Sequence, residues 1–161
     1  MSVSGTVKYL ADFTNTKALS LSTGQEVVSV EGKAEFSDGT GANQLKIIYD
    51  NVRTVNAAPE TIDLTATLSD IYGTLLALTK IRGIIIHNLS TTAAQILTVS
   101  GNWSGDLMGG TLPTIEVHPS GWFAWISPVD AATITNTTQD QLTVNPGAAN
   151  ISYRLIILGV L

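Results

Sequence analysis

Two solitary histidines, eight aspartates and one G-N-W-S-G string are the residues with which this chain could do chemistry. A serine hydrolase places its nucleophile in G-x-S-x-G at a strand-to-helix turn. In Gly101–Gly105 the serine, Ser104, stands one place late and no helical pattern follows. A metal centre needs clustered imidazole, thiolate or carboxylate ligands. His87 and His118 each lack a second His, a Cys or a carboxylate at ligand spacing, and the chain has no Cys at all. Acid–base work needs two carboxylates converging on one cleft, whereas Asp12, Asp38, Asp50, Asp63, Asp70, Asp106, Asp130 and Asp140 fall mostly in turns or at strand ends, where Asp bonds to its own backbone. The expectation is a protein that is not an enzyme, with no cofactor and no metal.

The aromatics suggest contact instead. Trp103, Trp122, Phe123 and Trp125 fall within one quarter of the chain, and tryptophan is a frequent interface anchor. In the run Trp122–Ile126, alternation predicts Trp122, Ala124 and Ile126 toward the core and Phe123 and Trp125 outward, against a subunit or a second layer. Trp103, with Asp106 in the loop that follows, is a candidate ligand-binding or surface loop. In the run from Asn150 to Leu161, Ile151, Tyr153, Leu155 and Ile157 share one face; Ile156, Leu158 and Leu161 are left needing cover from another layer or a sister subunit.

Composition limits the partners. Charged residues make up 13% of the 161-residue chain and mean hydropathy is +0.26, against about 25% charged in an average soluble protein. So thin a coat of charge favours self-association, here a homo-oligomer. The net charge is −5 and the eight Lys and Arg are scattered, so no row of phosphates can be neutralised and nucleic acid is not an expected partner. No apolar run approaches the ~18 residues of a membrane-spanning helix, and the start, MSVSGTVKYL, lacks the pattern of a secretory leader. Neither membrane insertion nor export is expected.

From Lys80 onward, short apolar runs recur between Gly, Pro, Asn and Ser, as in an antiparallel sandwich. The spacing predicts an all-β fold in a single domain over residues 1–161, with 1–34 an N-terminal arm or peripheral strands. His118–Gly121 reads as a turn with Pro119 presetting φ and Gly121 taking positive φ, and Asn145–Asn150 as another. In Thr67–Gly73, Leu68, Ile71 and Tyr72 have helical spacing and Gly73 could cap, so one short helix is predicted near 67–72.

The stretch FSDGTGANQLKIIYDNVRTVNAAPETIDLTATLSDIYGTLLALTKIRGIIIHN, Phe36 to Asn88, resembles a group of tailed-bacteriophage virion proteins. Members of that group carry an F-x-DGT turn, a D-x-R-T element, an Asp-Leu pair, a short L-x-D-x-x-G helix and a long strand opening A-K-I-K. The matching residues run from Phe36, Asp38, Gly39 and Thr40 through Asp50, Arg53, Thr54, Asp63 and Leu64 to Leu68, Asp70, Gly73, Lys80 and Ile81. The terminal NISYRLIILG is similar to that group's last strand, so the likeness covers about Glu35 to Gly159. It implies a jelly-roll-like sandwich acting as a capsid decoration or cement protein. Such a protein is a homo-oligomer, trimer favoured, bound to the major capsid protein on the virion surface after synthesis in the bacterial cytoplasm. It also implies that Asp38 and Gly39 shape a turn and that Asp50 and Arg53 pair across a strand end. Ser120 and the loop GNWSGDLMGG depart from the group, and that loop motivates a rival reading as a tail- or fibre-associated carbohydrate-binding or adhesion module.

Overall fold

Runs rich in Val, Ile, Thr and Tyr suit a pleated, half-buried surface, and in the computed structural model, which describes residues 2–18, 22–104 and 113–161, they become strands. In chain order these are β1 (Gly5–Ala18), β2 (Thr23–Asp38), β3 (Gln44–Leu45), β4 (Ile47–Asn56), β5 (Glu60–Asp63), β6 (Leu68–Ser69) and β7 (Leu75–Leu76). They continue with β8 (Lys80–Asn88), β9 (Leu97–Ser100), β10 (Ile115–Val117), β11 (Trp122–Ile126), β12 (Ala132–Thr133), β13 (Gln141–Asn145) and β14 (Asn150–Val160). The fold is all-β. Helix among the described residues is confined to one 3-10 turn, Asn102–Ser104.

Two antiparallel sheets form the body. One has the order β11-β8-β14-β4, with β12 also on β8, and the other β10-β9-β13-β5. Their inner faces supply the core: Ile84 and Ile86 of β8 and Ile151, Tyr153, Leu155 and Ile157 of β14 meet Leu97 and Val99 of β9 and Leu142 and Val144 of β13. The alternation read from β14 is the one the fold adopts, because its odd-numbered residues from 151 to 157 are all buried.

The helix predicted near 67–72 is a β-hairpin. Leu68 and Ser69 pair with Leu76 and Leu75, and Asp70 Oδ1 accepts hydrogen bonds from the Tyr72 and Thr74 backbone N–H groups at 2.9 and 2.8 Å. The aspartate closes a turn more effectively than it starts a helix, which leaves Ile71 and Tyr72 exposed. At His118–Gly121 the turn forms, with Gly121 N–H donating to the His118 carbonyl at 2.9 Å, but the positive φ, 58°, falls on Ser120 and not on Gly121.

Among the described residues two charged side chains are buried, Arg82 and Asp140, and a change of register places the first. On β14, Leu158 opposes Gly83 while Gly159 opposes Ile81, so Arg82 is the extra residue of a β-bulge. A bulge re-aims a side chain. The guanidinium is thereby directed onto four backbone carbonyls, of Gly41 (2.8 Å), Gln44 (3.1 Å), Pro128 (2.9 Å) and Val129 (3.1 Å). Arg82 thus fastens the loop after β2 and the loop after β11 to the centre of the sheet.

Candidate interaction surface

β1 and β2 pair over their whole lengths, from Gly5 opposite Phe36 to Ala18 opposite Thr23. Because side chains alternate across a strand, this register sorts them cleanly. Val7, Tyr9, Ala11 and Phe13 lie on one face opposite Ala34, Gly32, Val30 and Val28, while the other carries Thr6, Lys8, Asp12, Thr14 and Thr16 with Glu35, Lys33, Glu31, Ser29 and Gln25. Leu10 and Val27 are the apolar interruptions of the polar face. The ribbon is therefore amphipathic from Val7 to Phe13, beyond which Asn15, Lys17 and Glu26 occupy the same face, and the Tyr9 ring lies over Gly32, where an added Cβ would meet it at 2.3 Å.

At its root the apolar face of the ribbon is satisfied. Phe36 and Leu45 bury with Leu158, and Val3, Val7, Ala34, Ile126 and Ile156 pack around them. Asp38 ties this root down, accepting the Val3 N–H at 3.2 Å and the Lys46 ammonium at 2.9 Å; the Lys46 bond comes first in holding the Asp38 carboxyl below its ordinary range. Gly39 follows at φ 144°, with no room for a Cβ beside the Gln44 amide. Asp38 is the last residue of β2, and Gly39 begins the bend that follows it.

Further out the face has no cover. Tyr9 is 57% and Phe13 65% exposed, and Val28 and Val30 are exposed with them. The outer face of the β11-β8-β14-β4 sheet is mixed: Trp122 is 64% and Val52 58% exposed, in one row with His87 and with Arg154, which pairs with Asp50 on the same face.

Several expected residues move. β11 is turned over relative to the reading by alternation, since Phe123 and Trp125 pack on the core while Trp122 and Ala124 are exposed. A strand apolar at both parities carries no period-two signal, and pairing with β8 decides its facing. Leu158 finds its cover within its own chain, under the ribbon's root; Ile156 is half-buried beside it and Leu161 is exposed. Trp103 is a core residue at 1% exposure, its indole N–H donating to the Ser100 carbonyl at 3.3 Å. It offers no platform to a ligand. Asp106 lies outside the described residues.

Asp50 and Arg53 do not pair with each other. They are separated onto opposite faces of β4's register: Asp50 takes Arg154 in a two-pronged pair, at 2.7 and 2.5 Å, and Arg53 takes Glu60. The second pair is the more consequential. Arg53 also donates to Tyr49 Oη at 3.1 Å, and Tyr153 Oη donates to Glu60 Oε2 at 2.7 Å. Burial alone would push the Glu60 carboxyl up, yet Arg53 and Tyr153 more than offset it and hold the carboxyl below its ordinary value of 4.5. Burial, followed by the bond to Glu60, pushes the Tyr153 phenol up. A lowered folded value means that this group stabilises the fold fully above the ordinary carboxylate range, and that the contribution is lost as pH falls through the folded value. Glu60→Gln is expected to cost about 2 kcal/mol at pH 7, with the gap to wild type closing in acid. Urea midpoints measured across the acid range check this; a pH-independent gap would remove the carboxylate from the account.

Among the described residues, no three of His, Cys, Asp and Glu are placed to hold a metal ion, and no helix is long and apolar enough to cross a membrane. No protein-family model matches the chain, and no curated protein matches it. Among solved structures, the crystal structure of PirA is similar at a TM-score of 0.39 and 18% identity, over 68% of this chain and 93% of PirA. A likeness of that size carries no functional argument.

Proposed function

We propose that this protein is a structural component of a tailed-phage virion, a decoration or cement protein that self-associates, as a trimer in the favoured case, and binds the major capsid protein. The observation that carries the reading is the ribbon: a chain with 13% charged residues leaves the middle of one ribbon face, Tyr9, Phe13, Val28 and Val30, apolar and exposed, and such a patch marks a site of assembly. The likeness of Glu35–Gly159 to virion proteins supplies the kind of assembly.

Strand order also supports a jelly roll. With the eight body strands numbered in chain order, one sheet reads 6-3-8-1 and the other 5-4-7-2, the order of two interleaved Greek keys in a sandwich. A shell reinforced by such a domain gains from buried apolar area, at roughly 25 cal/mol per Å2, without any chemistry. The adhesion reading loses its anchor, because Trp103 is core.

Copy number in purified particles tests this. A decoration protein is present in hundreds of copies, on the order of the number of capsid subunits, whereas a tail part is present in about a dozen or fewer. Particles stripped of the protein are expected to release DNA at a lower temperature and to recover when it is added back. Tail-like stoichiometry, or stripped particles as robust as intact ones, would overturn the proposal.

A further inference from the structure

We infer that the free apolar face of the β1–β2 ribbon docks on the outer face of the β11-β8-β14-β4 sheet of a second copy of this chain. The inference rests on the self-association in the reading above and not on its capsid part.

Three observations favour another copy as the occupant. First, the chain itself carries both halves of the contact. Tyr9, Phe13, Val28 and Val30 on the ribbon and Val52 and Trp122 on the sheet are all exposed, and neither group can close on the other within one molecule because the ribbon's root is already seated on Leu158 and Ile126. Second, the ribbon's root shows the mode of packing. There the same face, through Val7, Ala34 and Phe36, lies against the residues at the edge of that same outer sheet face, Leu158, Ile126 and Ile156. A neighbour's ribbon would extend this layer over the uncovered rows. Third, the area is adequate for a reciprocated contact. A fully exposed aromatic presents roughly 150–250 Å2, so these six residues, 44–65% exposed, present roughly 500–700 Å2 per copy, or roughly 1,000–1,400 Å2 in total when both copies offer ribbon and sheet, above the about 1,000 Å2 that a specific interface needs.

Charge placement agrees. Between Val7 and Phe13 the ribbon's docking face has no ionised group, whereas its other face carries Lys8, Asp12, Glu31, Lys33 and Glu35, with Lys33 and Glu35 paired at 2.8 Å; Lys17 and Glu26 stand on the docking face only nearer the tip. When ribbon meets sheet in a head-to-tail sense the contact gives a ring if the rotation closes and a filament if it does not, and when it is reciprocated it closes into a two-fold dimer.

The test uses the whole chain. Light scattering at micromolar concentration is expected to give a whole multiple of 17.0 kDa. Tyr9→Lys with Phe13→Lys is expected to raise the dissociation constant by about 100-fold or more with the melting of the body unchanged. Thr14→Lys, on the opposite face, is expected to leave the mass as it was. The absence of cysteine permits a second measurement. Phe13→Cys in a tagged chain, mixed with Trp122→Cys or Val52→Cys in an untagged one, is expected to yield a mixed cross-linked pair. If the double Lys variant keeps its mass, or neither mixture cross-links, the docking fails while self-association stands. A wild type that is monomeric at about 100 μM, far above the Kd of a standard interface, sinks both, and particle copy number still reports separately on the capsid reading.

Discussion

Arg82→Met is expected to destabilise the folded protein by about 2–4 kcal/mol, since it removes the buried donor that joins two loops to β8 and leaves backbone acceptors unpaired. Arg82 is 3% exposed, and the carbonyls of Gly41, Gln44, Pro128 and Val129 all take their hydrogen from it. Pro128 keeps the Asn43 N–H and Gly41 the Gln44 N–H, so the loss falls on the Gln44 and Val129 carbonyls, at up to about 1–3 kcal/mol each, and relaxation of the two loops toward water recovers part of the sum. Arg82→Lys is expected to rescue little, because an ammonium on a flexible stem cannot reproduce the planar fork that reaches both loops at once. Chemical denaturation at neutral pH measures the loss as a fall in midpoint. A loss under about 1 kcal/mol would show that the four contacts are incidental. The substitution also bears on assembly: Gly41 and Gln44 lie between β2 and β4, so a freed loop lets the ribbon swing at its root, and the oligomer is expected to loosen in step with the fold.

Trp103→Ala is expected to cost about 3–5 kcal/mol, the range for deleting a buried aromatic side chain and leaving its cavity. The indole packs within the sandwich core, and the short 3-10 turn that presents it is held by Asn102, whose Oδ1 accepts the Gln141 N–H at 2.7 Å. Gly101 makes the approach: its φ is 134°, and a Cβ there would meet the Gln141 carbonyl oxygen at 2.0 Å. Trp103→Phe keeps most of the volume and is expected to lose clearly less than Ala. Thermal melts of the two variants decide the matter. If Trp103→Ala melts with wild type, the side chain is not core and the carbohydrate platform returns as a reading.

The two substitutions also show where sequence reasoning misses. Trp103 sits in a Gly- and Ser-rich string that reads as a loop, and only the short helical turn folds it inward. Arg82 is one of eight scattered basic residues. Its signal was local: an Arg-Gly pair interrupting an apolar strand, KIRGIIIHN, is the kind of break that marks a bulge. The Glu60–Arg53–Tyr153 network joins β5, β4 and β14, and no spacing along the chain announces a contact made across 93 residues.

By itself, the sequence determined the all-β class, the antiparallel turns, the inward row of β14 and the shortage of surface charge, because period-two alternation and turn chemistry are properties of neighbouring residues. It also contained the amphipathic ribbon, in Val7, Tyr9, Ala11 and Phe13 and their partners from Val28 to Ala34. Tertiary structure alone decided that this face extends past its own sheet, that Trp122 faces out while Phe123 and Trp125 face in, and that Leu158 is covered by Phe36. Those outcomes depend on which strand lies beside which, and that is settled by competition for buried area between segments far apart in the chain.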